Sequence, residues 1–240
     1  MCGRCAIFLA ILSLAGGCTV AQMQVPAPLD VVPAVPVDRG TVRRWNDPVG
    51  FGAWHTTSVD EGGTDWSPGR SAAAHRHEVQ NVSLERIYRL ILATPAAEIR
   101  AGCFARLDAA TYGSTSFDLG AARGEPALQC TYDGAVTGSL ELFEMPKVGG
   151  AQAGYLEFDG ARWHIQSVDR IVGSRSSGAI VGYEIRNDEA VIGAVETINR
   201  GRVWITPSLT AGEQDRVAAV VATLLLYRPL QDELEAEQSR

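Results

Sequence analysis

Between Phe51 and Ile205 the apolar positions recur mostly every second residue, the period of a half-buried strand. Ile99, Ala101, Cys103, Ala105 and Leu107 share one face of such a stretch, and Leu128, Cys130 and Tyr132 share one face of another. Phe51 to Val59 reads as a strand rich in aromatics and threonine. Leu84 to Thr94 fits either period and is assigned to a strand because Pro95 closes it. Tyr155 to Phe158 and Arg162 to Val168 flank Asp159-Gly160, which tolerates the positive φ of a type I′ turn, so a two-residue hairpin is predicted there. Ile180 to Arg186 then meets Ala190 to Thr197 across Asn187-Asp188-Glu189, and Asn199-Arg200-Gly201 leads into Val203-Trp204-Ile205.

The pattern changes after Pro207. Thr210-Ala211-Gly212-Glu213 has the capping-box spacing, and from Val217 the chain is apolar on every face until Tyr227, with Pro229 as its stop. A helix over 211–227 with no polar side must be enclosed. Its polar first turn (Glu213, Gln214, Asp215, Arg216) leaves too little apolar length for a bilayer. The expected fold is mainly β, an antiparallel β-barrel or sandwich with one buried apolar C-terminal helix. The order Val191-Ile192-Gly193, Val203-Trp204-Ile205, then apolar helix resembles the tubby C-terminal, LURP-one and phospholipid scramblase superfamily over residues 80–228. That resemblance implies a closed barrel around a hydrophobic helix. The Lys and Arg cluster of the tubby phosphoinositide site has no counterpart here, so that activity is not carried over.

The N-terminus follows another logic. Arg4 and the terminal amine precede an apolar run, Ala6 to Ala15, of secretory length and far short of the roughly 20 residues of a membrane span. Leu14-Ala15-Gly16-Gly17-Cys18 resembles the lipobox of bacterial lipoproteins, although the leucine stands one position further back than is commonest. The resemblance implies cleavage before Cys18 and acylation of that cysteine with palmitate-type chains. Residues 19 to about 40 carry Pro26, Pro28, Pro33 and Pro36 with few charges, and read as an extended tether. At about 3.1 Å per residue it would hold a domain roughly 65 Å from the membrane. The expected division is a signal peptide at 1–17, a lipidated cysteine and tether at 18–42, a β-rich domain at 43–229 and an acidic tail at 230–240.

Composition narrows the partners. The chain has 240 residues, 46% hydrophobic and 20% charged, which suits one large domain with a real core. Its 21 basic and 28 acidic residues give a formal charge of −7, which disfavours a nucleic-acid surface. Part of that acidity sits in Asp232, Glu233, Glu235 and Glu237, read as a solvated end. With Cys2 and Cys5 lost and Cys18 acylated, Cys103 and Cys130 remain as an inward-facing pair in an oxidising compartment, and a disulfide is predicted between them.

Candidate chemistry is sparse. His75-Arg76-His77-Glu78 is the best metal candidate, but it is polar, follows a loop and contains an opposing arginine, so solvated histidines are the better reading. His164 with Asp169 and one of Ser174, Ser176 or Ser177 forms a conceivable triad whose spacing demands nothing. Trp45, Phe51, Trp54 and Trp66 form either a ligand platform or the seal of one barrel end, and packing is preferred. No cofactor, catalytic residue or metal site is assigned. The expected protein is an outer-membrane lipoprotein facing the periplasm, since Thr19 is not the aspartate that retains enterobacterial lipoproteins at the inner membrane. It is read as a binding or structural protein, partner unknown. The alternatives are a lipid-binding or transfer module, which needs an open barrel interior, and a hydrolase, which needs His164 in a cleft. The segments around Cys103, Cys130 and Gly182-Tyr183 also resemble uncharacterised proteobacterial lipoproteins.

Overall fold

Two-residue alternation becomes strand phase in the computed structural model, which describes residues 20–39, 47–67, 79–112, 115–145, 151–174 and 176–239. Two short strands, β1 (Val35–Pro36) and β2 (Asp38–Arg39), precede β3 (Val49–Phe51), β4 (Trp54–Glu61) and β5 (Asp65–Ser67). The long strands β6 (Gln80–Ala93) and β7 (Glu98–Tyr112) pair along almost their whole length. They are followed by β8 (Thr115–Asp118), helix α1 (Leu119–Arg123), β9 (Leu128–Gly134) and β10 (Gly138–Glu144). Next come β11 (Gln152–Phe158), β12 (Ala161–Val168), β13 (Gly182–Asn187), β14 (Ala190–Glu196) and β15 (Arg202–Ile205). Helices α2 (Ala211–Leu226) and α3 (Leu230–Gln238) end the fold.

All pairings are antiparallel, in the order β1-β15-β14-β13-β12-β11-β10-β9-β7-β6-β4-β3-β2, with β5 and β8 added on β6 and β7. The first and last strands of that order are consecutive in the chain, joined by Val37 alone. Residues 35–39 therefore bridge the two sheet edges, and the result is a nearly closed antiparallel barrel rather than a sandwich. Closure satisfies edge groups that would otherwise template aggregation.

The hairpins form where turn chemistry placed them. Asp159 and Gly160 adopt φ of 48° and 82°, joining β11 to β12. The next turn is tighter than expected, because Asn187 stays in the ladder opposite Ala190 and only Asp188-Glu189 turn. The strand expected over Phe51 to Val59 is split, since Gly52 takes φ of 59° and folds β3 back onto β4.

Helix α2 begins with the capping box. The Glu213 N–H donates to Thr210 Oγ1 at 3.3 Å and the Thr210 N–H donates to Glu213 Oε2 at 2.9 Å. Val217 to Leu225 are buried on every face, each large apolar side chain contributing about 1.5–3 kcal/mol. Tyr88 of β6, Tyr132 of β9 and Gly193 of β14 reach the helix from different walls of the barrel. A Cβ at Gly193 would stand 2.7 Å from Val217 Cγ1, so glycine there sets how closely β14 approaches.

Two segments depart from the sequence expectation. The described part of the expected tether is not a spacer. Met23 and Leu29 are fully buried beneath the outer face of β13–β15, with Val181, Val191, Ala194 and Trp204. Arg39 Nη2 donates to the Leu225 carbonyl at 3.0 Å, closing the C-terminal end of α2. Proline removes donors, but it does not stop the apolar residues between prolines from packing. Likewise the expected acidic tail forms α3, because Leu230 and Leu234 lie on one face and bury against the barrel.

Candidate functional site

Strand phase decides which polar residues enter the barrel. On β6 the inward row reads Val82, Leu84, Arg86, Tyr88, Leu90, Leu92, so a guanidinium occupies a place otherwise given to apolar groups. Arg86 is only 6% exposed. It is held by Glu61 at 3.6 Å, by Thr64 Oγ1 at 2.7 Å and by Glu233 of α3. Thr64 Oγ1 also donates to Glu233 Oε2 at 3.0 Å, so barrel wall and C-terminal helix share one charged clasp. Replacing Arg86 would leave Glu61 and Glu233 without their shared cation, which is the costly way to break a buried ion pair.

Beside it, two further inward positions are polar. On β10 the row Leu140, Leu142 ends in Glu144, and on β11 the row Gln152, Gly154, Leu156, Phe158 begins with a fully buried glutamine. Tyr183 of β13 donates to Gln152 Oε1 at 2.6 Å, and Gln152 Nε2 donates to Glu144. Gln152 Nε2 also lies 3.4 Å from the Tyr227 hydroxyl, just past the end of α2.

These groups line a cleft of about 1730 Å³ at the end of the barrel where α2 finishes. Phe117 and Met145 stand exposed on it, 58% and 42%, while Ile180 and Leu224 supply apolar wall. Burial pushes the Glu144 carboxyl up to about 7; Gln152 opposes the rise, and Asp118 and Asp232 add to it. Burial raises Asp232 as well, with Glu235 adding and Arg228 opposing. Glu61 is raised by burial against the pull of Arg86 and Arg228. The cleft therefore offers an amide, two phenols and a carboxyl that exchanges its proton near neutrality, beside an arginine locked between glutamates. Sequence reading missed all of them. The signal was one polar residue in an alternating apolar row, and it needs the strand phase to be seen.

The sequence-selected residues fall elsewhere. Cys103 and Cys130 are register partners on β7 and β9, Cα atoms 4.1 Å apart, and their sulfurs are bonded. Cys18, Trp45 and His75 to Glu78 lie outside the described residues. His164 is exposed on the outer face of β12, edge-on to Tyr155 at 5.3 Å. Asp169 accepts from Ser176 Oγ at 2.7 Å within the loop that follows β12, and His164 does not join them. Phe51 and Trp54 pack at 6.0 Å, and Trp54 Nε1 donates to Asp215 Oδ1 at 2.7 Å, sealing the N-terminal end of α2. The interior around Val217 to Leu225 is filled by the helix itself, where a lipid-carrying barrel would be open. Comparison with family models, curated proteins and solved structures returned no match.

Proposed function

We propose that this chain is an exported bacterial envelope protein, anchored by lipid on Cys18, whose barrel serves as a binding or structural domain. The observation that carries the binding part is the cleft at the end of α2: around Val217 to Leu225 the helix occupies the barrel interior, whereas this end combines buried polar groups with an open mouth. Such a mixed concavity is the usual shape of a ligand site. The compartment is supported by the lipobox resemblance and by the opposed Cys103 and Cys130, since disulfides persist where thiols are oxidised. The superfamily resemblance enters only as architecture, a barrel around a helix, and brings no ligand with it.

The anchor is tested by intact mass and membrane fractionation of the expressed protein beside Cys18→Ala. A lipid-sized mass increase with membrane retention, both lost in the variant, supports it. A soluble, unmodified wild-type protein removes the anchor and leaves a secreted domain.

A further inference from the structure

The N-terminal segment fixes where an anchor at Cys18 would hold the domain. Asn199 Nδ2 donates to the Ala21 carbonyl at 2.7 Å, and the Val172 N–H donates to the Gln22 carbonyl at 2.8 Å. The Gln24 N–H donates to the Arg170 carbonyl at 2.9 Å, and Met23, bridged to Ile171, is fully buried. From Ala21 to Gln24 the backbone is tied to the barrel. Two residues, Thr19 and Val20, lie between Cys18 and Ala21, so three fully extended steps of chain span at most about 11 Å.

We propose that the domain lies flush on the lipid surface, with the edge formed by Val20, Arg170, Val172 and Arg200 against it. This rests on the Cys18 anchor proposed above. Val20 and Val172 are 62% and 66% exposed, and Arg170 and Arg200 are exposed beside them. An edge that mixes apolar side chains with guanidinium groups fits a headgroup layer, whose phosphates take the arginines and whose upper acyl region takes the valines. Asp169, the nearby acid of that loop, is engaged with Ser176. Asn199, which holds Ala21, also lines the cleft, so the cleft sits at the anchored end. The turns at Asp159-Gly160 and Asp188-Glu189 lie at the opposite ends of the same strands and point away.

The test couples the mature chain, Cys18 to Arg240, through the Cys18 thiol to a maleimide phospholipid in phosphatidylethanolamine–phosphatidylglycerol vesicles. The photo-cross-linker p-benzoylphenylalanine replaces Val172 in one variant and Glu189 in another. The expected result is a lipid adduct at position 172 in about tenfold excess over position 189, reflecting the short tether's high local concentration. A flexible Gly/Ser insertion of about 20 residues between Thr19 and Val20 is expected to remove that excess. Equal yields at the two positions, or an excess that survives the insertion, overturn the proposal. Coupling is chemical, so absence of lipid on the native protein counts against the anchor alone and leaves this geometric result standing.

Discussion

At the scale of single residues, the interior polar groups form short closed networks, and Thr223 is the clearest. It is fully buried on α2, donates to the Ala219 carbonyl at 3.0 Å and accepts from the Tyr132 hydroxyl at 3.1 Å. Thr223→Val keeps the shape but strips Tyr132 of its partner, so it is expected to cost about 1–3 kcal/mol. Tyr132→Phe removes the stranded group. The double variant is therefore expected to be destabilised by less than the sum of the two singles, and a double-mutant cycle from urea unfolding reads that coupling. Strict additivity would mean that the bond contributes nothing. Thr223 was hidden in the sequence by its neighbours, Val-Ala-Ala-Val-Val-Ala-Thr-Leu-Leu-Leu, where one hydroxyl does not disturb an apolar run. Arg86, Glu144 and Gln152 were hidden for a related reason. Each is an ordinary surface residue type, and only the phase of its strand turns it inward.

At the scale of elements, what was legible is what local chemistry determines. The Asp159-Gly160 turn, the Thr210–Glu213 box and the alternation of 99–107 and 128–132 each depend on residues close in sequence, and each formed as read. The cysteine faces were legible for the same reason, though their pairing needed β7 and β9 to be neighbours. Cys103 and Cys130 close a separation of 27 residues. On the chain-entropy account the bridge is worth about 3–4 kcal/mol. The double variant Cys103→Ala/Cys130→Ala is expected to lose that much in guanidinium unfolding. Reductant should lower the wild-type midpoint alike and leave the variant's unchanged. A reductant-insensitive wild type would mean the thiols are not bridged in solution. The N-terminal segment was not legible because its partners are distant: Met23 packs under β13 and β14, and Arg39 caps a helix 186 positions away.

At the scale of the whole molecule, carboxyl groups at the two kinds of site pull stability in opposite directions with pH. Around the cleft, Glu61, Asp118, Glu144 and Asp232 are all raised, chiefly by burial. A raised carboxyl binds its proton more tightly in the folded state. Its contribution is complete below the ordinary value, 4.5 for Glu144, and is lost as pH climbs toward the folded value near 7. Elsewhere the shift reverses. Burial pushes Asp108 up, but hydrogen bonds from Ser83 and Arg106 and the charge of Arg123 bring it below 3.8, while Thr210 holds Glu213 below 4.5. Those contributions are complete above the ordinary values and vanish as pH falls through the lowered ones. The two windows meet at the ordinary carboxyl values, so the sum is a stability maximum at about pH 4.5. Between there and pH 8 unfolding free energy should decline by about 2 kcal/mol, chiefly through Glu144. Urea unfolding at intervals from pH 3 to 9 measures the profile directly. In Glu144→Gln the neutral amide occupies the same place beside Gln152 and has no proton to lose, so the alkaline decline should flatten while the acid limb stays as it is. An unchanged alkaline limb would transfer the effect to Glu61, Asp118 or Asp232, and a rise from pH 5 to 8 would mean that the cleft carboxyls are solvated rather than buried.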